Sequence, residues 1–186
     1  MIKITELAHR QVAEALHGGG RCLAVDATAG GGRDTLFLAR LVGPGGHVYT
    51  FDIQQEALDQ TAALLKQACL TDRVTLVRAG HERMAEYIEN AVSAVVFNLG
   101  YLPGGDKSIA TSSETTLIAL RQALHLLRPG GIVTVIAYPG HALGKIEREA
   151  VFEFCRSLHS NTYAVSHLTL INREYEPPEL FSITKY

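Results

Sequence analysis

One stretch near the start of the chain, Asp26-Ala27-Thr28-Ala29-Gly30-Gly31-Gly32-Arg33-Asp34-Thr35, gathers carboxylates, hydroxyls and three consecutive glycines. An apolar run, Cys22 to Val25, precedes it and an amphipathic one, Leu36 to Val42, follows, so it reads as a strand–loop–helix turn. The glycines let the backbone approach a ligand closely, because no Cβ stands in the way and positive φ is open to them. The helix that begins just after them offers unpaired N–H groups and a positive dipole end to a negative group. A carboxylate at the strand end would repel a pyrophosphate. It would instead suit a ligand that carries an ammonium group and hydroxyls, and S-adenosylmethionine is such a ligand. On this reading Asp26, Thr28, Gly30, Gly31 and Gly32 hold the methionine part of the cofactor. Asp34 either touches the ligand or favours the first helical turn through the dipole, and Thr28 either touches it or hydrogen-bonds its own loop.

Further polar residues fall where other strands are expected to end. Asp52 closes the run Val48-Tyr49-Thr50-Phe51, 22 residues after Gly30, a spacing that suits a carboxylate accepting from ribose hydroxyls. Nicotinamide-dinucleotide domains share that spacing, but Arg33-Asp34-Thr35 leaves no third glycine for their fingerprint. Ile53, Gln54 and His81 would border the ribose and adenine; His81 alternatively caps a helix starting at Glu82. Asn98-Leu99-Gly100-Tyr101 supplies an amide acceptor, a backbone carbonyl, a flexible residue and a ring. That set can receive an amine, with Tyr101 stacking on a base, or it can be a plain strand-to-loop turn whose ring packs on the core.

The elements that must position these groups alternate along the chain. Strands are expected at Cys22–Asp26, His47–Asp52, Val74–Val77, Ser93–Asn98 and Ile132–Ala137. Helical periodicity marks Ile4–Leu16, Thr35–Val42, Gln54–Cys69, Glu82–Glu89, Glu114–Leu127 and Gly144–Leu158. Tyr163–Ile171 and Leu180–Lys185 are extended runs with no helix between them, which predicts an antiparallel pair at one edge of a mostly parallel sheet. The 186 residues, 47% hydrophobic, suit one α/β domain, 1–186, with a substantial core. No apolar run reaches membrane-span length and no signal-peptide pattern opens the chain. Cys22, Cys69 and Cys155 are far apart without metal-ligand spacing and read as buried thiols in a reducing cytoplasm; with eight scattered histidines, no structural metal is expected. A net charge of −2 argues against a general nucleic-acid coat, though not against a local basic face.

These residues resemble the class I S-adenosylmethionine-dependent methyltransferases. Asp26-x-Thr28-x-Gly30-x-Gly32 is similar to their first motif, with Thr28 where many members carry glycine, and Asp52 to their acidic second motif. Leu127-Arg128-Pro129-Gly130-Gly131 resembles the turn before their fifth strand. A closer resemblance is to the small bacterial family long labelled rRNA methylases, members of which are linked to methylation of 5-aminomethyl-2-thiouridine at the tRNA wobble position. Asp26–Thr35, Phe51–Gln54, Gly140-His141-x-x-Gly144-Lys145-x-x-Arg148, Pro177-Pro178 and above all Phe97 to Lys107 carry it. The resemblance implies a Rossmann-like class I methyltransferase fold: a seven-stranded, mostly parallel sheet with an antiparallel C-terminal strand and helices on both faces.

The resemblance also implies an amine as acceptor and tRNA, through its anticodon loop, as partner. Asn98, Tyr101 and Asp106 would receive the amine, Asp106 either orienting it or taking its proton. A carboxylate beside an ammonium stabilises the charged form, so the choice stays open. Leu99, Gly100 and Tyr138 would line the base, with Tyr101 or Tyr138 stacking on it. Lys107, His141, Lys145 and Arg148 would reach phosphates, or Lys145 and Arg148 would form an ordinary solvated face with Glu147 and Glu149. With no separate RNA-binding domain in the sequence, a homodimer would extend the RNA surface.

Overall fold

The computed structural model describes residues 3–17, 22–100, 111–173 and 175–186. Helix α1 (Ile4–Leu16) is followed by β1 (Leu23–Asp26), α2 (Arg33–Leu41), β2 (His47–Asp52), α3 (Gln55–Gln67), β3 (Val74–Arg78) and β4 (Val92–Asn98). Then come α4 (Ser113–Leu126), β5 (Leu127–Ala137), α5 (Ala142–Arg156), β6 (Tyr163–Leu168) and β7 (Glu179–Lys185). The strands form a seven-stranded sheet in the order β3-β2-β1-β4-β5-β7-β6. All pairings from β3 through β5 are parallel, and β7 runs antiparallel to both β5 and β6. The last strand is thus inserted inside the sheet and β6 forms its edge. Burial explains the choice: Leu180, Phe181 and Ile183 of β7 are buried, whereas β6 is largely open to solvent.

Strand residues alternate between two cores, as a pleated sheet with helices on both faces requires. Val25, Val95, Phe97, Val133, Val135, Phe181 and Ile183 point to one side, where they meet Ala119, Leu120 and Ala123 of α4 and Val151 and Cys155 of α5. Ala24, Val48, Ala94, Val96 and Ile132 point to the other, against Val12 and Leu16 of α1, Leu38 of α2 and Leu65 of α3. Each fully buried large side chain contributes roughly 1.5–3 kcal/mol of apolar transfer free energy. Lys185 ties the layers at one end, its Nζ donating to the carbonyls of Leu124 (3.2 Å) and Leu127 (2.8 Å) where α4 ends.

Three expectations need correcting. The helix expected at Glu82–Glu89 is a 3₁₀ segment, His81–Glu86, too short to settle into α geometry. β5 starts at Leu127 rather than Ile132: Leu127 pairs with Val92 and the register then shifts, a kink that Gly130 allows with φ +73°. Of the cysteines, only Cys155 is buried; Cys22 is half-buried and Cys69, with φ +55°, is exposed in the turn after α3. Among the described residues no helix is long and apolar enough to cross a membrane.

Candidate active site

Strand order reverses at β1, whose neighbours are β2 and β4, and in open α/β sheets ligands bind beyond the carboxyl ends at such a point. A cleft of about 1260 Å³ opens there. Its wall includes Thr28, Gly30, Gly31, Asp34, Asp52, Ile53, Gln54, His81, Asn98, Leu99, Gly100, Tyr138 and His141, so most of the sequence-derived residues converge. Tyr101, Asp106 and Lys107 lie outside the described residues.

The glycine loop is organised from below. Asp26 is fully buried and does not line the cleft: its Oδ1 accepts the Thr28 N–H (3.1 Å) and its Oδ2 the Thr35 hydroxyl (2.6 Å). Burial, reinforced by the charge of Asp34, pushes its carboxyl up to about 7. The residue read as a ligand contact therefore shapes the loop that makes contact. Gly32 also lies behind the wall; at φ +76° it caps α2, and a Cβ there would stand 2.8 Å from Thr61 Cα. Gly31, by contrast, faces open space.

Asp52 is half-buried at the end of β2 and bridges two backbone donors. Its Oδ2 accepts the Gly30 N–H (3.0 Å) and its Oδ1 the Gln54 N–H (2.9 Å). Each oxygen keeps a second lone pair for a hydroxyl. Beside it, Ile53 is exposed on the cleft rim, an apolar surface next to a polar anchor. His81 is buried across the same part of the cleft, its Nδ1 3.2 Å from the Ala27 carbonyl, and burial holds its imidazole below the ordinary histidine value. α2 begins without a side-chain cap, which leaves its first N–H groups for an anionic ligand group. A ribose anchor, an apolar neighbour, an open glycine and an uncapped helix start together fit S-adenosylmethionine.

At the far side of the cleft, four residues from four elements form one hydrogen-bonded chain. His9 Nε2 of α1 lies 2.6 Å from Asp34 Oδ1 of α2, and Asn98 Nδ2 at the end of β4 donates to Asp34 Oδ2 (3.1 Å). The Tyr138 hydroxyl, just after β5, donates to Asn98 Oδ1 (2.9 Å). Burial, with the charge of Asp34, raises the Tyr138 phenol above its ordinary value, so it stays a donor. The chemistry of the partners fixes the amide: a carboxylate only accepts, so the Asn98 nitrogen must face Asp34 and its oxygen Tyr138. The Asn98 N–H in turn donates to Thr28 Oγ1 (2.8 Å), joining the β4 end to the glycine loop.

The rim departs from expectation. His141 lines the cleft and caps α5 by accepting the Gly144 N–H at Nδ1 (3.0 Å). Lys145 instead pairs with Glu176 (2.9 Å), and Arg148 with Glu179 and Glu149 (2.8 Å each) while lying over the Phe152 ring. Neither lines the cleft, although Glu176, the partner of Lys145, does. Glu147, read as part of a solvated face, is buried: it accepts from Thr111 (2.8 Å) and Thr116 (2.7 Å), and Thr111 accepts the Gly100 N–H (2.9 Å).

Comparison with known proteins gives the family. A family profile described as "Putative rRNA methylase" matches residues 48–184. The chain belongs to that family. A curated relative, the chloroplastic tRNA (mnm(5)s(2)U34)-methyltransferase of Arabidopsis thaliana, is 40% identical over 189 residues, 96% of this chain and 68% of that protein. A Clostridium thermocellum crystal structure bearing the same family term superposes with a TM-score of 0.94 at 42% identity, covering 100% of this chain and 99% of that one. A Streptococcus mutans structure, named a "putative methyltransferase" and solved in complex with SAH, gives 0.90 at 34% identity with 100% coverage of both. This rRNA methylase family member thus has the class I methyltransferase fold and belongs among S-adenosylmethionine-dependent methyltransferases.

Sequence reading missed two residues of this rRNA methylase family member that shape the cleft: His9 on its wall and Glu147 behind Thr111. His9 gave no signal beyond a polar residue on the half-buried flank of an amphipathic helix. Glu147 was legible in principle, since it falls on the stripe Gly144, Glu147, Val151, Cys155 that α5 buries.

Proposed function

We propose that this methyltransferase transfers a methyl group from S-adenosylmethionine to the 5-aminomethyl group of wobble 2-thiouridine in tRNA, giving 5-methylaminomethyl-2-thiouridine. The observation that carries the reading is Asn98, held between Asp34 and Tyr138 at the carboxyl end of β4 with a carbonyl lone pair left to accept from an amine. The activity named for the Arabidopsis relative supports the substrate. The cofactor supplies a methyl group on a positively charged sulfur. Asp52, the Gly30–Gly31 loop and the start of α2 would hold it, and the chain's remaining task is to bring an amine lone pair into near-attack geometry. A wobble base is already unstacked in an anticodon loop, so bringing it to Tyr138 costs little. His141, on the cleft wall, is the described residue from the predicted phosphate-contacting set that keeps that position.

Incubating the protein with labelled S-adenosylmethionine and bulk tRNA from a strain lacking this wobble methylation should place label in 5-methylaminomethyl-2-thiouridine. Asn98→Ala should lose turnover while cofactor binding is nearly kept. Label absent from tRNA, with cofactor binding demonstrated, would overturn the substrate; unchanged turnover in Asn98→Ala would remove that residue from the reaction. The proposed assembly is a cytoplasmic homodimer that widens the RNA surface; a fully active monomer at assay concentration would refute the dimer.

A further inference from the structure

Methylating an aliphatic amine sets a requirement that Asn98 and Tyr138 do not meet. Such an amine is largely protonated at neutral pH, as lysine is, and only its neutral form has a lone pair to give. We propose that Asp34 is the group that takes the proton from the substrate ammonium, and that His9 is its positioning residue. This rests on the amine-methylation reading above.

Asp34 stands in the right place. It lines the cleft together with Asn98, and its Oδ2 is 3.1 Å from the Asn98 nitrogen. The orientation this forces on the amide leaves two acceptors beside one another, the second lone pair of Asn98 Oδ1 and those of the Asp34 carboxylate. An ammonium group entering the cleft meets both. Asp34 is 8% exposed, and its hydrogen bonds to His9 and Asn98 fix its carboxylate in one position on the cleft wall.

The pair is also built to stay aligned. Because the carboxylate only accepts, His9 donates through Nε2–H to Oδ1 (2.6 Å), leaving Oδ2 for the amine. The imidazole stacks on Phe37 of α2 with centroids 3.8 Å apart and planes 4° from parallel. The His9 side chain, 27% exposed, lines the cleft beside Asp34. Among the described residues, the other titratable groups near it are Asp26 from β1 beneath and Tyr138 beyond Asn98, with Lys3, Arg33, Asp52, His81, Glu82, His141 and Glu176 on the same cleft wall. In the step, one substrate N–H bond breaks, its electron pair stays on nitrogen, and the proton goes to the Asp34 carboxylate. The carboxylic acid releases it to solvent through the cleft once the methylated product has left.

The test uses the intact protein and anticodon stem-loop RNA carrying either 5-aminomethyl-2-thiouridine or 2-thiouridine without the aminomethyl group. Binding of both RNAs and of S-adenosylmethionine is measured first, and turnover of the amine-bearing RNA is then followed across pH for wild type and Asp34→Asn. In turnover, Asp34→Asn should lower kcat by about 10²–10⁴ at neutral pH. The deficit should narrow as pH rises toward the pKa of the substrate amine, where the neutral form no longer needs a base. His9→Gln, which keeps an N–H donor, should retain more of the rate than His9→Ala. A deficit that is constant with pH would overturn the proposal. A loss of cofactor affinity as large as the loss of kcat would do the same, returning Asp34 to the cofactor site. If the wild type forms no methylaminomethyl product on this RNA, the amine reading itself fails, an outcome distinct from those.

Discussion

Asp26 and Asp34, eight positions apart in the glycine stretch, carry the same functional group to different ends. Asp26 is sealed under the loop with both oxygens occupied, whereas Asp34 opens on the cleft and joins His9 to Asn98. Burial leaves Asp26 with a measurable signature. Its carboxyl rises from an ordinary 3.8 to about 7 in the folded protein, first through desolvation and then through the Asp34 charge. Between those values the folded state binds a proton that the unfolded chain has released, so this group's contribution to stability falls as pH rises from about 4 to about 7. Asp26→Asn keeps the hydrogen-bond geometry, since the amide oxygen can accept from Thr28 and its nitrogen can donate to Thr35 Oγ1. Urea midpoints measured across that window should therefore fall more steeply for the wild type than for the variant. Parallel curves would show that Asp26 does not titrate there. Chemical type at this position was readable from the chain; which of the two carboxylates faces the ligand was not, because that depends on the loop's path over β1.

At the scale of elements, the site hangs on how helices begin. α2 starts at Gly32 in a left-handed conformation, packed so closely on α3 that a Cβ would meet the Thr61 backbone at 2.8 Å. Gly32→Ala should cost roughly 1–3 kcal/mol for the backbone conformation alone, and the Thr61 contact adds to it. Thermal melting of the purified variant checks this, and an unchanged midpoint would mean that the turn relaxes freely. Gly31, whose Cβ would meet nothing within 4 Å, should accept alanine with little loss of stability in the same assay. α5 starts on the side chain of His141, and one turn later buries Glu147 against Thr111 and Thr116. The period of α5 placed Glu147 on the inner stripe, yet alternating charge around it made the same stretch look solvated. α1 supplies the other surprise, because its packing on β4 and β5 through Ala8 and Val12 brings His9 alongside the start of α2.

For the molecule as a whole, the strongest signals were the ones with a local cause. Alternating apolar runs, the glycine turn and the acidic strand ends marked nearly every strand and helix, because pleat, helical period and turn chemistry act over a few residues. They placed Asp52, Asn98 and Tyr138 at strand ends, and the sheet then gathered those ends on one side because parallel strands share a direction. Sheet order and the partners of charged side chains lie beyond that reach. β7 sits between β5 and β6 because it has the more apolar residues to bury, a comparison between distant segments. Lys145 and Arg148 are neutralised by Glu176 and Glu179, about thirty positions away along the chain, which the close approach of α5 to the C-terminal segment makes possible. By itself the sequence determined the fold class, the cofactor loop and the types of group at the strand ends, all consequences of local backbone geometry. Only the tertiary structure decided which carboxylate reaches the cleft, that α1 brings His9 to its wall, and which cations pair with carboxylates, because each depends on groups that meet only when distant segments pack.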